Sequence, residues 1–383
     1  VGILNSYFCG FSRVGGVCGY NSSTITNCYN KGVVDGTADG ASSFGGVCGC
    51  NLGILTNCYN TGIIKGQSFV GGVSGDNNKT ITNCYNTGIV SGQSYVGGID
   101  GDNSGTITNC NNEGKVSGTE DSVGGVSGDN NKTITNCYNT GIVSGQSYVG
   151  GVNGYNKNGT IINCYTTSEV NGTGSHVGGV IGMNLSNGTI TNCYYDSPIY
   201  TGNAIGANSG TATKVEGKTT EQYKTGEVAY LLQLDQSDEV WGQTIGTDTY
   251  PNLGGAKVYK NAIYNGCEGK PGEPVSYAYS NTEKNTYGDH PDADNDGKCD
   301  DCGAIIDGIG AKLAGYSLSL TGNIGVNFYM ELSDQIIADK DAYMQFTLPN
   351  GTVTKVPVSA AQTNTTIKEG TTYYKFPCEV SSY

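Results

Sequence analysis

Short apolar runs separated by glycine, asparagine and threonine fill the first half of the chain. In residues 70–96 the run VGGVSG is followed by the turn DNNK, then by TITNCYN, a second turn, and IVSGQSYV. Runs of this length between turn residues are typical of β-strands. No segment of the repeat shows a helical period, which excludes a helical repeat. The pattern predicts three short strands in each unit, as in one coil of a parallel β-helix.

This unit recurs seven times, at intervals of roughly 26–30 residues, and the 27 residues at 70–96 return unchanged at 123–149. A period in this range indicates a solenoid, in which each coil buries its apolar face against its neighbours. Verbatim repetition favours a building role, because an active site is needed once. The units are marked by Gly-Gly pairs that begin at Gly15, Gly45, Gly71, Gly97, Gly124, Gly150 and Gly178.

Two polar signatures predict ladders that fix the register of the coils. Every unit carries a Gly-x-Asn motif and an Asn-Cys pair, and stacked asparagine amides can bond to the coils above and below. Parallel cysteines on successive coils have the wrong geometry for disulfides, so we expect reduced, inward-facing thiols. The cysteines of this series are Cys28, Cys58, Cys84, Cys110, Cys137, Cys164 and Cys193.

These patterns predict an all-β protein built on a right-handed parallel β-helix of about seven coils over residues 1–202. Residues 203–261 are predicted to cap it: TTEQYKTGEVAYLLQL has the period of one amphipathic helix that Thr219 or Thr220 could cap, and Trp241 is expected to cover the open end of the core. Residues 262–310 read as a linker or mini-module with an Asp-rich and a Cys-x-x-Cys motif. Residues 311–383 alternate as strands of a truncated β-sandwich do.

The repeat pattern VGGVxGxNxGTITNCYNTGxVxG, found over roughly residues 14–200, resembles the GLUG repeat of bacterial secreted and surface proteins. The resemblance implies a β-helical, adhesin-like role and names no catalytic residue. The last segment looks like modules found beside such repeats in Gram-positive surface proteins. An extracellular or cell-wall location is the expectation that follows.

Composition narrows the range of partners. The formal net charge is −14, and Arg13 is the single arginine among 383 residues. Nucleic acid is therefore not expected as a partner, because neutralising phosphates needs lysine and arginine. No apolar run reaches the ~18–20 residues of a membrane span. The chain starts without Met inside a partial repeat, which indicates a piece of a longer protein, so missing targeting segments carry no information. The oligomeric state is left open.

The segment HPDADNDGKCDDCG holds two competing metal motifs. Alternating carboxylates before a glycine match the start of a calcium loop, although its twelfth position is Gly303 rather than an acid. Cys-x-x-Cys with a distant Cys and His is a tetrahedral zinc set; a plain polar turn or a disulfide is the third alternative. The calcium candidates are Asp292, Asp294, Asp296 and Asp300, and the zinc candidates are Cys267, His290, Cys299 and Cys302.

A tyrosine follows the repeat cysteine in every unit but one, where Asn111 stands instead. Since the cysteine faces inward, its neighbour is expected to face outward, and an aromatic ladder can bind sugars or a protein surface. Tyrosines that merely pack on one another are the alternative. The candidate ladder is Tyr29, Tyr59, Tyr85, Tyr138, Tyr165 and Tyr194.

Two functions are consistent with these features. The first is an adhesin-type or stalk protein that binds host or polysaccharide surfaces, with a glycan or a host surface protein as partner. The second is a β-helical carbohydrate-active enzyme, a polysaccharide lyase or hydrolase. The coils are nearly interchangeable, and no base, acid and electrophile can be named together. The sequence therefore predicts the adhesin-type protein and no enzyme activity.

Overall fold

The computed structural model describes residues 1–36, 38–234, 236–293, 299–302, 311–319, 324–332 and 334–380. The chain forms two units. The first comprises Val1–Asn261 with Ala278–Lys284, and the second comprises Ala262–Tyr277 with Asn285–Tyr383.

The first unit is a β-solenoid of about eight turns, which confirms the predicted fold class. Each turn contributes short strands that pair in parallel with the same strands of the turns before and after, as in Tyr59 opposite Tyr85 and Ile81 opposite Ile107. The strand series is longer than seven repeats, because Ile205–Asn208 and Thr211–Lys218 continue it past residue 202.

Five strand series make up the turns. The largest sheet contains two of them, which merge in Thr189–Asp196 and continue into Thr211–Lys218. Its strands are Thr24–Thr26, Ile54–Thr56, Thr80–Thr82, Thr106–Thr108, Thr133–Thr135 and Thr160–Ile162 in one series, and Gly2–Ile3, Tyr29–Asn30, Tyr59–Asn60, Tyr85–Asn86, Asn111–Asn112, Tyr138–Asn139 and Tyr165–Thr166 in the other.

Three further series complete the turn, counting the described residues. The valine sheet comprises Tyr7–Cys9, Val33–Gly36, Ile63–Gly66, Val90–Gly92, Val116–Gly118, Val143–Gly145 and Val170–Gly172. The Gly-Gly sheet comprises Ser12–Gly15, Ser42–Gly45, Ser68–Gly71, Ser94–Gly97, Val123–Gly124, Val149–Gly150 and Val177–Gly178. The Gly-x-Asn sheet comprises Cys18–Asn21, Cys48–Asn51, Ser74–Asn77, Asp100–Asn103, Ser127–Asn130, Asn153–Asn156, Ile181–Asn184 and Ile205–Asn208. The largest sheet thus supplies two of five strand positions in a turn.

The repeat cysteines lie inside the solenoid as predicted. They are free thiols, buried among the isoleucines and valines of one core cluster. The backbone N–H of Cys58 points at the Sγ of Cys84, 3.4 Å away, and that of Cys84 at the Sγ of Cys110 at the same distance. The cysteine thus serves as a small apolar residue that accepts a weak hydrogen bond from the next coil.

Two asparagine ladders run along the solenoid, one over its whole length and one over five coils. In the Gly-x-Asn series each Nδ2 donates to the Oδ1 of the next coil, from Asn21 to Asn208, over 2.7–2.8 Å. The second ladder differs from the prediction: it runs through Asn30 to Asn139, two residues after each cysteine. The asparagines of the Asn-Cys pairs instead adopt positive φ, as Asn109 does at 53°, a conformation that asparagine tolerates well.

The cap departs from the prediction in two ways. The predicted single helix is two short ones, Thr220–Lys224 and Glu227–Gln233, because the chain turns at Gly226 with φ of 89°. Thr219 caps the first helix in a capping box with Gln222, as expected. Trp241 does not cover the open end. It packs on the side of the solenoid against Tyr138 and Tyr165.

Short strands complete the cap, and the second unit carries its own core. Trp241–Gly242 and Asn252–Leu253 pair antiparallel, and Tyr259–Ile263 and Ser276–Ser280 form another small sheet. An antiparallel sheet of Ala311–Ser319, Ile324–Leu332, Thr371–Val380 and Thr365–Lys368 shares apolar contacts with the hairpin Tyr343–Thr347 and Val353–Pro357, and with the helices Asp334–Ala338 and Val358–Ala361. Two sheets around one core are consistent with the predicted sandwich.

Candidate functional sites

A four-residue metal cluster lies in the second unit. The side-chain donor atoms of Cys267, His290, Cys299 and Cys302 all lie within 4.8 Å of one another. The Sγ atoms of Cys299 and Cys267 are 3.6 Å apart, as are the Sγ of Cys302 and the Nδ1 of His290. Two ligands bonded to one tetrahedral zinc ion lie roughly 3.8 Å apart when each bond is about 2.3 Å. The cluster therefore has the dimensions of a metal centre.

Local backbone contacts bring these distant ligands together. Lys270 N–H donates to the carbonyl of Cys267 at 3.0 Å and closes a tight turn beneath that thiol. In the turn, a Cβ on Gly269 would lie 2.9 Å from the Sγ of Cys302, so glycine permits the close approach. Gly288 N–H donates to the carbonyl of Gly266 and draws the His290 segment alongside. The sequence suggested these four ligands, and the bond between Gly288 and Gly266 explains how the 22 residues between Cys267 and His290 are bridged.

The donor set suits a soft or borderline metal and not calcium. Cys267 and Cys299 are buried, at 0% and 2% exposure, and the burial of Cys267 together with the neighbouring Cys302 thiol raises its pKa to about 11. Calcium takes oxygen ligands, so this cluster of thiols and an imidazole does not support the predicted calcium site. Of the calcium candidates, Asp294 and Asp296 lie outside the described residues. Asp300 accepts a hydrogen bond from the Ala293 N–H at 2.7 Å, and Asp292 lies in the same segment.

The predicted tyrosine ladder exists, but in two parts. Tyr29, Tyr59 and Tyr85 stack face to face, with ring centroids 4.9 and 4.7 Å apart and planes within 8°. Tyr85 is 37% exposed, and the other two are half-buried. We call these three side chains the open tyrosine stack.

The remaining tyrosines lie under the cap. Tyr165 and Tyr194 are each 1% exposed and share an apolar cluster with Tyr223 and Trp241. Tyr138 stacks on Tyr165 at 5.2 Å and also contacts Trp241. The expectation that Tyr165 and Tyr194 face solvent is therefore wrong, because the cap docks on this face of the solenoid. Sequence reasoning placed the cap at the end of the rod and so missed this.

A pocket opens where the two parts of the ladder meet. Its volume is about 540 Å³, within the range of small-molecule sites. Asn111, the residue that interrupts the tyrosine series, lies on the solenoid side of the pocket. The lining residues are Asn83, Asn109, Asn111, Asp238, Glu239, Val240, Leu253 and Gly254. The break at Asn111 was visible in the sequence, but the cap residues that enclose it were not.

An acidic row lies on the Gly-x-Asn sheet. Asp76, Asp102 and Asp129 occupy paired positions on three successive coils. Burial, then the charge of Asp76, raises the pKa of Asp102 to about 6. Burial, then Asp102, raises that of Asp129 to about 7. Asp100 is completely buried nearby, and neither of its carboxylate oxygens has a hydrogen-bond partner among the described residues.

The fold and these sites define a β-solenoid repeat protein with a potential metal centre in its second unit. Over residues 12–35 the chain matches the GLUG motif, and this match supports its description as a GLUG-repeat protein. No curated protein shows significant similarity to the chain.

One solved structure with a related arrangement is described as a "putative immunoglobulin A1 protease" from Bacteroides ovatus. The two chains are 22% identical with a TM-score of 0.40, and the match covers 66% of this chain and 74% of that one. The prediction that this protein is not an enzyme is corrected by this finding, because a protein described as a protease is among its structural neighbours. Similarity at this level assigns no activity to the present chain.

Among the described residues, no helix is both long enough and apolar enough to span a membrane.

Proposed function

We propose that the protein is an extracellular or cell-wall-attached repeat rod that binds a glycan or a host surface protein through its open tyrosine stack. The observation that carries the proposal is the regular, solvent-facing stacking of Tyr29, Tyr59 and Tyr85 at the coil spacing. Aromatic faces offer large contact area at low entropic cost.

The physical basis is repetition. One tyrosine contributes about 1 kcal/mol beyond the burial of its area, which is too little for useful affinity alone. Three rings held in a row act together on a repetitive target, because linked contacts raise the effective concentration of each next contact. The rod is held rigid by its asparagine ladders, so little flexibility is lost on binding.

The test is adhesion of the purified chain to arrays of mucin and neutral polysaccharides. The double variant Tyr29→Ala/Tyr59→Ala should bind about 30-fold more weakly, because two contacts of ~1 kcal/mol each are lost. Tyr85 is left intact so that the neighbouring pocket is undisturbed. The same assay, followed for release of soluble fragments, shows whether binding is accompanied by cleavage.

A matched control removes apolar surface from another side of the rod. Ile89 and Ile142 are 48% and 42% exposed beside the valine sheet, and the variant Ile89→Ala/Ile142→Ala should adhere like the unmodified protein. Equal adhesion of the tyrosine variant and this control, with both folded by circular dichroism, would leave the open stack as packing alone.

We also infer that the Cys267–His290–Cys299–Cys302 cluster holds a zinc ion in a structural role. Three thiolates and one imidazole fill a tetrahedral shell and leave no open position, and the donor atoms already lie at compatible separations. A structural zinc ion contributes folding free energy directly. It would tie residues 267–302 together where few apolar side chains are available.

The zinc proposal predicts about one metal equivalent per chain, measured by mass spectrometry of protein purified without chelator. Cys302→Ser and His290→Ala should each lower the zinc content at least several-fold and lower the midpoint of thermal unfolding. Cys9→Ser is the matched control, since Cys9 is an exposed free thiol far along the sequence from the cluster. Full zinc content in Cys302→Ser, or calcium in place of zinc, would contradict the assignment.

A further inference from the structure

The interruption of the tyrosine ladder at Asn111 leaves one ring position empty. Asn111 pairs with Tyr85 on one side and with Tyr138 on the other. Those two rings each continue a stack, with neighbours at 4.7 and 5.2 Å respectively. At the strand spacing of ~4.8 Å, the ring positions on either side of Asn111 are about 9.6 Å apart. One flat ring in that gap would contact both tyrosines at ~3.5–5 Å.

The wall opposite Asn111 is rigid. Gln233 Oε1 accepts hydrogen bonds from the N–H groups of Val240 and Trp241, both at 2.8 Å, and its Nε2 donates to the carbonyl of Asp238 at 2.7 Å. Gly254 N–H donates to the Val240 carbonyl at 2.7 Å and fixes the second strand of the wall. The pocket is therefore preformed, which lowers the entropic cost of binding.

The pocket contains a buried acceptor that lacks a donor. The Oδ1 of Asn109 is buried and has no hydrogen-bond partner among the described residues. Leaving such an atom unpaired costs about 1–3 kcal/mol. Asn109 lines the pocket, so a rotation of its amide would present this oxygen to a ligand hydroxyl and recover the free energy. The pocket therefore favours a ligand rich in donors.

The charge of the pocket narrows the ligand class. Asp238 and Glu239 line it, and Glu113 accepts a hydrogen bond from the Asn111 Nδ2 at 3.1 Å. Lys257 pairs with Glu239 at 3.0 Å and offsets one of these charges. Carboxylates accept hydroxyl hydrogen bonds well, but they repel uronic acids, sulfated sugars and phosphates.

We propose that this pocket binds one neutral pyranose residue of a glycan, hydrogen-bonded to Asn109, Asn111 and the acidic wall that line it. The sugar ring enters the gap that Asn111 leaves between the paired positions of Tyr85 and Tyr138. The sugar ring completes the tyrosine ladder at its single interruption. The inference deepens the proposed surface-binding function, on which it rests, by naming a subsite and a ligand class.

The test is isothermal titration of the full chain with neutral gluco-, manno- and galacto-oligosaccharides, with oligogalacturonate as the acidic counterpart. Asn111→Tyr should reduce binding at least tenfold while the fold is retained, because the tyrosine fills the gap as it does in the other coils. Asn109→Gly should weaken binding several-fold, since glycine keeps the positive φ and removes the acceptor. Asn57→Gly, at the equivalent corner outside the pocket with φ of 54°, should bind normally.

The outcomes separate the two proposals. Unchanged oligosaccharide binding by Asn111→Tyr overturns the subsite, as does a preference for oligogalacturonate over the neutral oligosaccharides. If the unmodified chain binds no neutral oligosaccharide but Tyr29→Ala/Tyr59→Ala loses adhesion, the subsite is refuted and the surface-binding function is supported. If Asn111→Tyr loses binding while Tyr29→Ala/Tyr59→Ala adheres normally, the subsite is supported and binding through the open tyrosine stack is refuted.

Discussion

Asp100 lies inside the solenoid at a coil position where its neighbours carry hydroxyl groups. Ser74 pairs with it on one side and Ser127 on the other. Ser74 Oγ donates to the carbonyl of Asp76 at 3.1 Å, and Ser127 Oγ to that of Asp129 at 2.7 Å. An ionised Asp100 side chain has no hydroxyl hydrogen, so it cannot donate to the equivalent carbonyl, that of Asp102. Burial, reinforced by the charges of Asp76 and Asp102, raises its pKa well above the usual value, so the neutral acid is the form the fold favours.

The variant Asp100→Ser should raise the free energy of unfolding by about 1–3 kcal/mol at pH 7, since it replaces an unpaired buried carboxylate with the hydroxyl of the adjacent coils. Because the folded-state pKa is raised, the unmodified protein loses stability as pH rises from about 4, where the unfolded chain ionises first. The gain from the variant should therefore shrink toward pH 4. The shift of the urea midpoint at several pH values measures the trend without assuming that the whole array unfolds in one step.

The reverse substitution supplies the control for Asp100. Ser127→Asp places an acid at the same position one coil further on, and it should destabilise the protein more at pH 8 than at pH 4. A gain from Asp100→Ser that is the same at both pH values would show that ionisation is not the cause.

At the scale of elements, the helices and the Trp241 strand of the cap pack on the side of the solenoid. Trp241, 2% exposed, packs at 5.5 Å from the Tyr165 ring and 6.0 Å from that of Tyr138, and its Nε1–H donates to the Asn136 Oδ1 at 3.3 Å. Asn136 Nδ2 in turn donates to Gln236 Oε1. The cap thus joins the solenoid through both apolar and polar contacts.

Trp241→Ala should weaken the docking of the cap by about 3–5 kcal/mol, because a large buried ring is removed. Hydrogen exchange in Glu227–Gln233 measures the effect locally, which matters because repeat arrays do not unfold as one two-state unit. Trp241→Phe should keep most of the protection and lose about 1 kcal/mol with the indole hydrogen bond. Unchanged exchange in the alanine variant would show that the helix is held by other contacts.

Local patterns predicted the coils well, because strands one period apart meet the same neighbours in every turn. The inward cysteines and the Gly-x-Asn ladder follow from that regularity, and Thr219 followed by Gln222 marks a helix start. The burial of Tyr165 and Tyr194 does not follow from the regularity of the coils. Tyr85 and Tyr165 both follow an Asn-Cys pair in similar local sequence, TITNCYN and TIINCYT. Tyr165 is buried because residues roughly 60–75 positions further along the chain dock on it, whereas Tyr85 stays open.

At the scale of the whole molecule, the candidate metal ligands show the same limit. Cys299 and Cys302 are recognisable from spacing alone, whereas Cys267 and His290 depend on turns that close a long gap through Gly266 and Gly269. Spacing left calcium and zinc as competing alternatives, and the side-chain separations favour the thiol and imidazole set. The solenoid needs no such tie, because each coil rests on its neighbours.

The identical segments 70–96 and 123–149 stand on either side of the coil that carries Asn111. A genetic exchange between the two stretches would delete that coil together with one copy and leave no new junction in the protein. The shortened rod would keep unbroken amide ladders, and its tyrosine from the surviving copy would stack directly on Tyr165. Such a lineage would lose the gap at Asn111 in a single event while every remaining coil kept matching neighbours, so the proposed specificity could disappear without passing through a misfolded form.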